Sequence, residues 1–357
     1  MAKRQAKKTE NVELGQEEKL RPISRLDKYV YMDDTIQLLD FAFKCNKNVI
    51  LYGPGGYGKS EVSMDFLNER GIQPYVLTMG NGTTTDRLFG GMDLKKFNDD
   101  GKIEYLVENS FMNHEYVIFE ELFDAQDYIL EQLKDILSSR IFRNGNQIFN
   151  IKTKLIICCT NKTRESFSKN DSLKALMERF PLEHNVEWKE NNSINYEHLF
   201  RKVLGNVDPF LTYILGEYSK NGIKISPRMA LTSAELLMAC GPDCLKFIPE
   251  FSKKPELLKS ATTKFKSIEE VYEINEKFKA LKSSFKIGND VDSIKKSNLQ
   301  IAELKKTLVK LKSIKADDSI VTKVSELITE IEAFIKNNEK ALSLLMGISA
   351  LEESEIS

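Results

Sequence analysis

Residues 48–67, NVILYGPGGYGKSEVSMDFL, set an apolar run, a glycine-rich turn and an amphipathic segment end to end, and no other stretch limits the possible folds so sharply. Gly53, Gly58, Lys59 and Ser60 stand at the spacing of the phosphate-binding loop. The chemistry explains the spelling. Glycines let the backbone adopt positive φ and bring successive N–H groups close to one anion, while the helix that starts near Gly58 aims its positive dipole end at the same place. The residues expected to surround a bound triphosphate are Gly53, Pro54, Gly55, Gly56, Tyr57, Gly58, Lys59, Ser60 and Glu61. Lys59 neutralises β- and γ-oxygens in such a loop, and the Ser60 hydroxyl ligates Mg²⁺.

A chain of 357 residues has room for two or three domains. Its 52 lysines and arginines nearly balance 53 acids, which gives no basic signature for indiscriminate nucleic-acid binding. Cys45, Cys158, Cys159, Cys240 and Cys244 make an odd count without paired C-x-x-C spacing, as expected of free thiols in a reducing cytosol. Every apolar run falls short of the ~20 residues that span a bilayer. The sequence therefore reads as soluble and cytoplasmic, with no membrane partner.

Residues 1–20 are polar and charged, and read as a mobile tail. Asp33 and Asp34 open a helix carrying Ile36, Leu38, Leu39, Phe41 and Phe43, which leads into a strand at 48–51. After Gly71 a second strand is expected at 75–78, then a loop over 80–94. Ile103, Tyr105 and Val107 alternate, which predicts a short β-hairpin at 101–107. A buried strand follows at 116–119 and ends on two carboxylates, Glu120 and Glu121. Ligands of open α/β sheets sit at that end of a strand. Next come a helix with Ile129, Leu133, Ile136 and Leu137, a hairpin turning at Asn144, Gly145 and Asn146, and a buried strand ending on Thr160 and Asn161. Cys158 and Cys159 read as small core residues of that strand. A short helix stops before Pro181, and a last strand lies near 183–188.

Residues 195–245 are helical by pattern, punctuated at Gly205, Pro209, Gly222, Pro227, Gly241 and Pro242. The lysine- and glutamate-rich remainder carries three stripes: Val271, Ile274, Phe278, Leu281 and Phe285; Leu304, Leu308 and Leu311; Ile320, Val324, Leu327, Ile331 and Phe334. Breaks fall near 288–290 and 316–318. Two or three antiparallel, coiled-coil-like helices are expected. The domain boundaries implied are a tail at 1–20, an α/β domain at 21–190, a helical lid at 191–250 and a helical extension at 251–357.

The ordered set of phosphate loop, acid-tipped strand, Thr-Asn-tipped strand, arginine before a proline and arginine in a helical segment resembles the AAA+ ATPases. Within them it resembles the MoxR-type branch, with RavA-like proteins and near the magnesium-chelatase ATPase subunits. The likeness covers about residues 25–245. It implies a parallel sheet with helices on both faces, a small helical lid, and ATP with Mg²⁺ as cofactors. It makes residues 53–60 the Walker A loop and the end of YVIFEE the Walker B segment, with Glu120 toward Mg²⁺ and Glu121 polarising the attacking water. Asn161 matches sensor 1, and Arg179 in MERF matches the arginine finger offered to a neighbouring subunit. Arg228 in ISPRMAL resembles sensor 2. The hairpins near 101–107 and 140–151 are similar to the helix-2 insertion and the pre-sensor-1 hairpin, facing a central pore. A homo-oligomeric ring follows, a hexamer by resemblance, acting on a protein client or a partner with a von Willebrand factor A domain.

One position departs from that pattern. The family carries aspartate where this chain has Glu120, and Mg²⁺ tolerates little distortion of its octahedron. Glu131 and Asp135 read as solvated helix faces, Arg140 and Arg164 as surface residues, and His114, His184 and His198 form no ligand cluster. Two other classes fit the same core: a nucleic-acid-dependent motor, loader or restriction-type NTPase with Lys152 or Lys154 in a local basic pore, and a nucleotide-stabilised scaffold with little hydrolysis.

Overall fold

The computed structural model describes residues 24–144, 147–167, 171–188, 190–288, 290–314 and 321–355. The expected tail at 1–20, the turn residues Gly145 and Asn146, Ile320 and the break at 316–318 lie outside them. The chain divides after Glu187 into two compact units.

The first unit begins with α1 (Asp33–Cys45), β1 (Val49–Tyr52), α2 (Lys59–Asn68) and β2 (Tyr75–Thr78). It continues through α3 (Thr85–Phe89), β3 (Gly91–Met92), α4 (Leu94–Asp100), β4 (Tyr105–Leu106), β5 (Tyr116–Glu120) and α5 (Asp127–Ser139). The hairpin β6 (Ile141–Asn144) and β7 (Gln147–Asn150), then β8 (Leu155–Cys159), α6 (Arg164–Phe167), α7 (Asp171–Met177) and β9 (Leu182–Asn185) complete it. The main sheet has the order β2-β5-β8-β1-β9, and every pair in it is parallel.

Strand composition follows position in this sheet. The central strands VILY and LIICC are buried at every residue, as a strand covered on both faces must be. The edge strand β9 alternates half-buried and exposed positions and carries Glu183 and His184. The unit's main core runs from Ile50 and Phe119 on the sheet to Ile129, Leu133 and Ile136 on α5.

Residues 80–94 are not the uninterrupted loop expected from their glycines and threonines, since α3 and β3 fall within them. The predicted hairpin at 101–107 is also reshaped. Its strand is β4, whose antiparallel partner is Gly91–Met92, and α4 fills the connection. Caps explain α4: the Asp93 carboxylate accepts from the N–H groups of Lys95 and Lys96, and Gly101 closes the helix in the left-handed region at φ 67°. The last strand ends at Asn185 rather than near 188. Trp188 belongs to the second unit, where its ring packs 5.5 Å from that of Tyr196.

The second unit is helical: α8 (Ser193–Leu204), α9 (Pro209–Lys220), α10 (Pro227–Cys240), α11 (Pro249–Ser252), α12 (Pro255–Ser284), α13 (Val291–Ser313) and α14 (Val321–Glu355). The described residues of all three predicted stripes lie in or against one core of α12, α13 and α14. Ion pairs give their directions. Lys305 and Lys312 meet Glu339 and Glu332 at 2.5 Å, so α13 and α14 are antiparallel, and Lys310 of α13 also meets Glu270 of α12. Lys282 with Glu330 and Lys323 with Tyr272 then set α12 and α14 parallel, an up-down-up bundle.

Ile331 is fully buried at the centre of this bundle. Ile331→Ala should lower stability by about 2–5 kcal/mol, read as an earlier helical unfolding transition in denaturant. A loss below about 1 kcal/mol would show that the stripe is not a packed core.

Candidate functional site

Register decides which residues meet. Leu51 pairs with Cys159, and Cys159 with Glu120, so the chain leaves β1, β8 and β5 at one level of the sheet. Just beyond lie Gly53, Asn161 and Glu121. β8 separates β1 from β5, which puts Asn161 between the loop and the two acids.

The loop carries the backbone its glycines permit: Gly53, Gly56 and Gly58 have φ of 134°, 83° and 78°. At Gly53 a β-carbon would fall 2.4 Å from the Val186 carbonyl oxygen, so only hydrogen fits. Pro54 and Gly55 are exposed, whereas Tyr57 and Lys59 are buried. The Lys59 ammonium donates to the carbonyls of Gly53 at 2.7 Å and Pro54 at 2.9 Å, and to Asn161 Oδ1 at 2.9 Å. A buried charge needs such acceptors, and phosphate oxygens could replace them.

Glu121 adopts the left-handed region at φ 51°, ψ 37°, uncommon for a residue with a side chain. Its N–H donates to the Cys159 carbonyl at 2.8 Å, and its Oε2 accepts from the Asn161 N–H at 3.1 Å. Glu120 is turned the other way: Thr78 Oγ1 donates to its Oε2 at 2.6 Å. Glu61 faces outward from α2 and pairs with Lys28 at 2.8 Å.

Cys159 lies beneath the start of α2, with its Sγ 3.9 Å from Ser63 Oγ and in contact with the Ser60 hydroxyl. Burial pushes its thiol up to about 12, partly offset by the Ser63 and Ser60 hydroxyls. Cys158 is raised as well, by burial and by its neighbour Cys159.

Arg179 does not join this cluster. Its carbonyl accepts from Asn48 Nδ2 at 3.0 Å, at the amino end of β1. Five residues of extended chain, roughly 16 Å, separate that point from Gly53. Its guanidinium donates to Ser138 Oγ at 2.9 Å and the Ala175 carbonyl at 3.1 Å, and pairs with Glu178. Arg228 belongs to the second unit, exposed on the first turn of α10, which Ser226 caps. Arg140 closes α5 in the left-handed region and donates to the Thr153 carbonyl. Arg164 pairs with Glu183 beside a cavity of about 630 Å³ that Gly53, Pro54 and Asn161 also line.

Two residues escaped the sequence reading. Asn48 accepts from the Ile156 N–H at 2.9 Å while donating to the Arg179 carbonyl, so one amide joins the start of β1, β8 and the segment that leads into β9. Thr78 engages Glu120 from the edge strand. Both bonds join positions far apart in the chain, and no local spacing announces them.

Among the described residues no group of three or more His, Cys, Asp or Glu could hold a metal. The Ser60 hydroxyl and the Glu120 carboxylate are hard oxygen donors, which suit an Mg²⁺ carried in on phosphates rather than caged by protein alone. Among the same residues no helix is long and apolar enough to cross a membrane.

Residues 18–200 match the family model described as the MoxR domain in the MoxR–vWA–β-propeller ternary systems. Two uncharacterized proteins of Methanocaldococcus jannaschii are each 24% identical over 135 residues, 38% of this chain. The match spans only about a third of their length, 35% and 34%. Among solved structures, NtrX from Brucella abortus overlaps 58% of this chain and 49% of its own at 17% identity, with a TM-score of 0.43.

The cysteines offer a check on this geometry. At pH 8 an alkylating reagent should label the exposed Cys45 and Cys240 and spare the buried Cys158 and Cys159 until denaturant is added, as read by peptide mass mapping. Rapid native labelling of Cys159 would mean that the floor beneath Ser60 opens.

Proposed function

The chain belongs to the MoxR family of AAA+ ATPases, and from that premise we propose that it is a ring-forming ATPase that couples ATP hydrolysis to remodelling or assembling a protein partner. The observation that carries this reading is the convergence of Lys59, Asn161 and Glu121 at one end of the sheet, with Arg179 tethered at the other.

Each residue then has a role set by its chemistry. The loop amides of residues 53–60 and the N-terminus of α2 hold the phosphates. Lys59 exchanges its carbonyl partners for phosphate oxygens. Glu121 orients the attacking water, and Asn161, already bonded to both Lys59 and Glu121, keeps the two in register. Ser60 and Glu120 hold Mg²⁺, which supplies charge neutralisation on the phosphates when bound. Arg228 acts as sensor 2 from a lid at 191–250, and 251–357 forms a recognition arm.

Phosphoryl transfer to water spreads negative charge over the transferring group, so an added guanidinium has a large effect, about 10³- to 10⁵-fold in other P-loop enzymes. Arg179 is held far from the loop of its own chain, which supports its service to a neighbouring subunit. Hydrolysis would then require assembly, and a closed ring gives every site its finger. A partner bearing a von Willebrand factor A domain fits the systems for which the matched family model is named.

The test is complementation. Lys59→Ala should abolish nucleotide binding, Glu121→Gln should bind ATP without turning it over, and Arg179→Ala should bind but not hydrolyse. Mixing the inactive Lys59→Ala and Arg179→Ala proteins should restore measurable phosphate release, because one supplies the finger and the other the intact loop. A mixture as inactive as its components, or full activity of Arg179→Ala alone, would reject the trans arrangement.

A further inference from the structure

Thr78, Glu120, Cys159 and Leu51 form one cross-strand row from the edge of the sheet to the strand that carries the phosphate loop. In-register neighbours on parallel strands present their side chains to the same face. Cys159 identifies that face, because its thiol touches the hydroxyls of Ser60 and Ser63 on α2. The Glu120 carboxylate thus stands on the Ser60 face with two directions open to it along the row. It can lean inward across Cys159 or outward to the edge strand. It leans outward, where Thr78 Oγ1 donates to it at 2.6 Å. A hydroxyl bonded to a carboxylate at that length is among the stronger neutral-to-ion hydrogen bonds. Strands lie roughly 4.8 Å apart, so this bond holds the carboxylate on the opposite side of β5 from both β8 and β1.

We propose that Thr78 is a positioning residue that latches Glu120 away from the cation site, so that divalent-cation binding must release this bond. The inference rests on the reading of the site as one for a nucleotide with Mg²⁺. The latch raises the Mg²⁺ concentration at which the site fills, a property separate from the rate of the chemical step.

Thr78 is exposed on an edge strand, so Thr78→Val removes the donor while keeping shape and strand preference. Mg²⁺ is titrated into the full chain holding a fluorescent ATP analogue, and the half-saturating concentration is read from the change in the analogue's signal. Thr78→Val should shift that midpoint to about tenfold lower Mg²⁺, equal to ~1.4 kcal/mol. Thr78→Ser should keep the wild-type midpoint, since it keeps the hydroxyl. In a Glu120→Ala background, which has no carboxylate to latch, the Thr78→Val change should have no effect. An unchanged or higher midpoint in Thr78→Val, or the same shift in the Glu120→Ala background, would overturn the latch. Binding of the analogue in excess chelator separates the two levels of the argument: a wild-type chain that never binds it refutes the site reading and the latch together, whereas normal binding without the Thr78→Val shift refutes the latch alone.

Discussion

The first unit is organised around a positive charge it has to bury. Lys59 is 6% exposed, and an ammonium taken from water needs oxygen partners in place of hydration. Two come from Gly53 and Pro54, which the tight glycine turn folds back over the helix start. A further one comes from Asn161, 102 residues further along the chain. That reach works only because β8 is inserted beside β1, so the strand order β2-β5-β8-β1-β9 is the condition for a satisfied Lys59. The same arrangement that stabilises the charge in the chain alone prepares it for an anion, since phosphate oxygens are better acceptors for it than backbone carbonyls.

Asn161 therefore links two tasks. Its side chain serves Lys59 and its backbone N–H serves Glu121, so any change in what Lys59 holds is felt one bond away by the carboxylate read as the water-orienting group. Glu121 contributes strain of its own through a left-handed backbone, which costs on the order of 1 kcal/mol or more for a residue with a side chain. The Cys159 carbonyl holds that conformation through the Glu121 N–H. A turn made by glycine would be relaxed but would carry no carboxylate. The structure accepts strain at the position where a charged side chain has to be aimed.

Much of this was legible in the sequence because it is written in short-range pattern. The glycine spacing, the all-apolar runs of β1, β5 and β8, and the acids and amide at their carboxyl ends are local signals, and all were found where expected. The three apolar stripes of the second unit were equally readable, since helical spacing repeats within a few residues. What failed was local structure under mixed signals. In 80–94 glycines and threonines concealed α3, and the alternation of 103–107 drew attention from the Asp93 and Gly101 caps that define α4. Asn48 and Thr78 could not be read at all. Their partners lie 42 to 131 residues away, and only the completed sheet brings the groups together.

In the second unit, one helix belongs to two packing systems. The N-terminal half of α12 sits against α9, where Phe265 meets the rings of Phe210 and Tyr213 at 5.3 and 5.6 Å. Its C-terminal half supplies Val271, Ile274 and Phe278 to the bundle core. Its 30 residues make a rod of roughly 45 Å without an internal proline or glycine to act as a hinge. A rotation of α9 about its own packing would therefore be carried along α12 into the bundle rather than absorbed between them. The cross-helix ion pairs of the bundle are solvent-exposed and contribute little to its stability, so its rigidity comes from the buried stripe. Such a bundle follows the helix that enters it as one body, and this is the mechanical property an arm needs if small movements near its base are to become displacements at its far end.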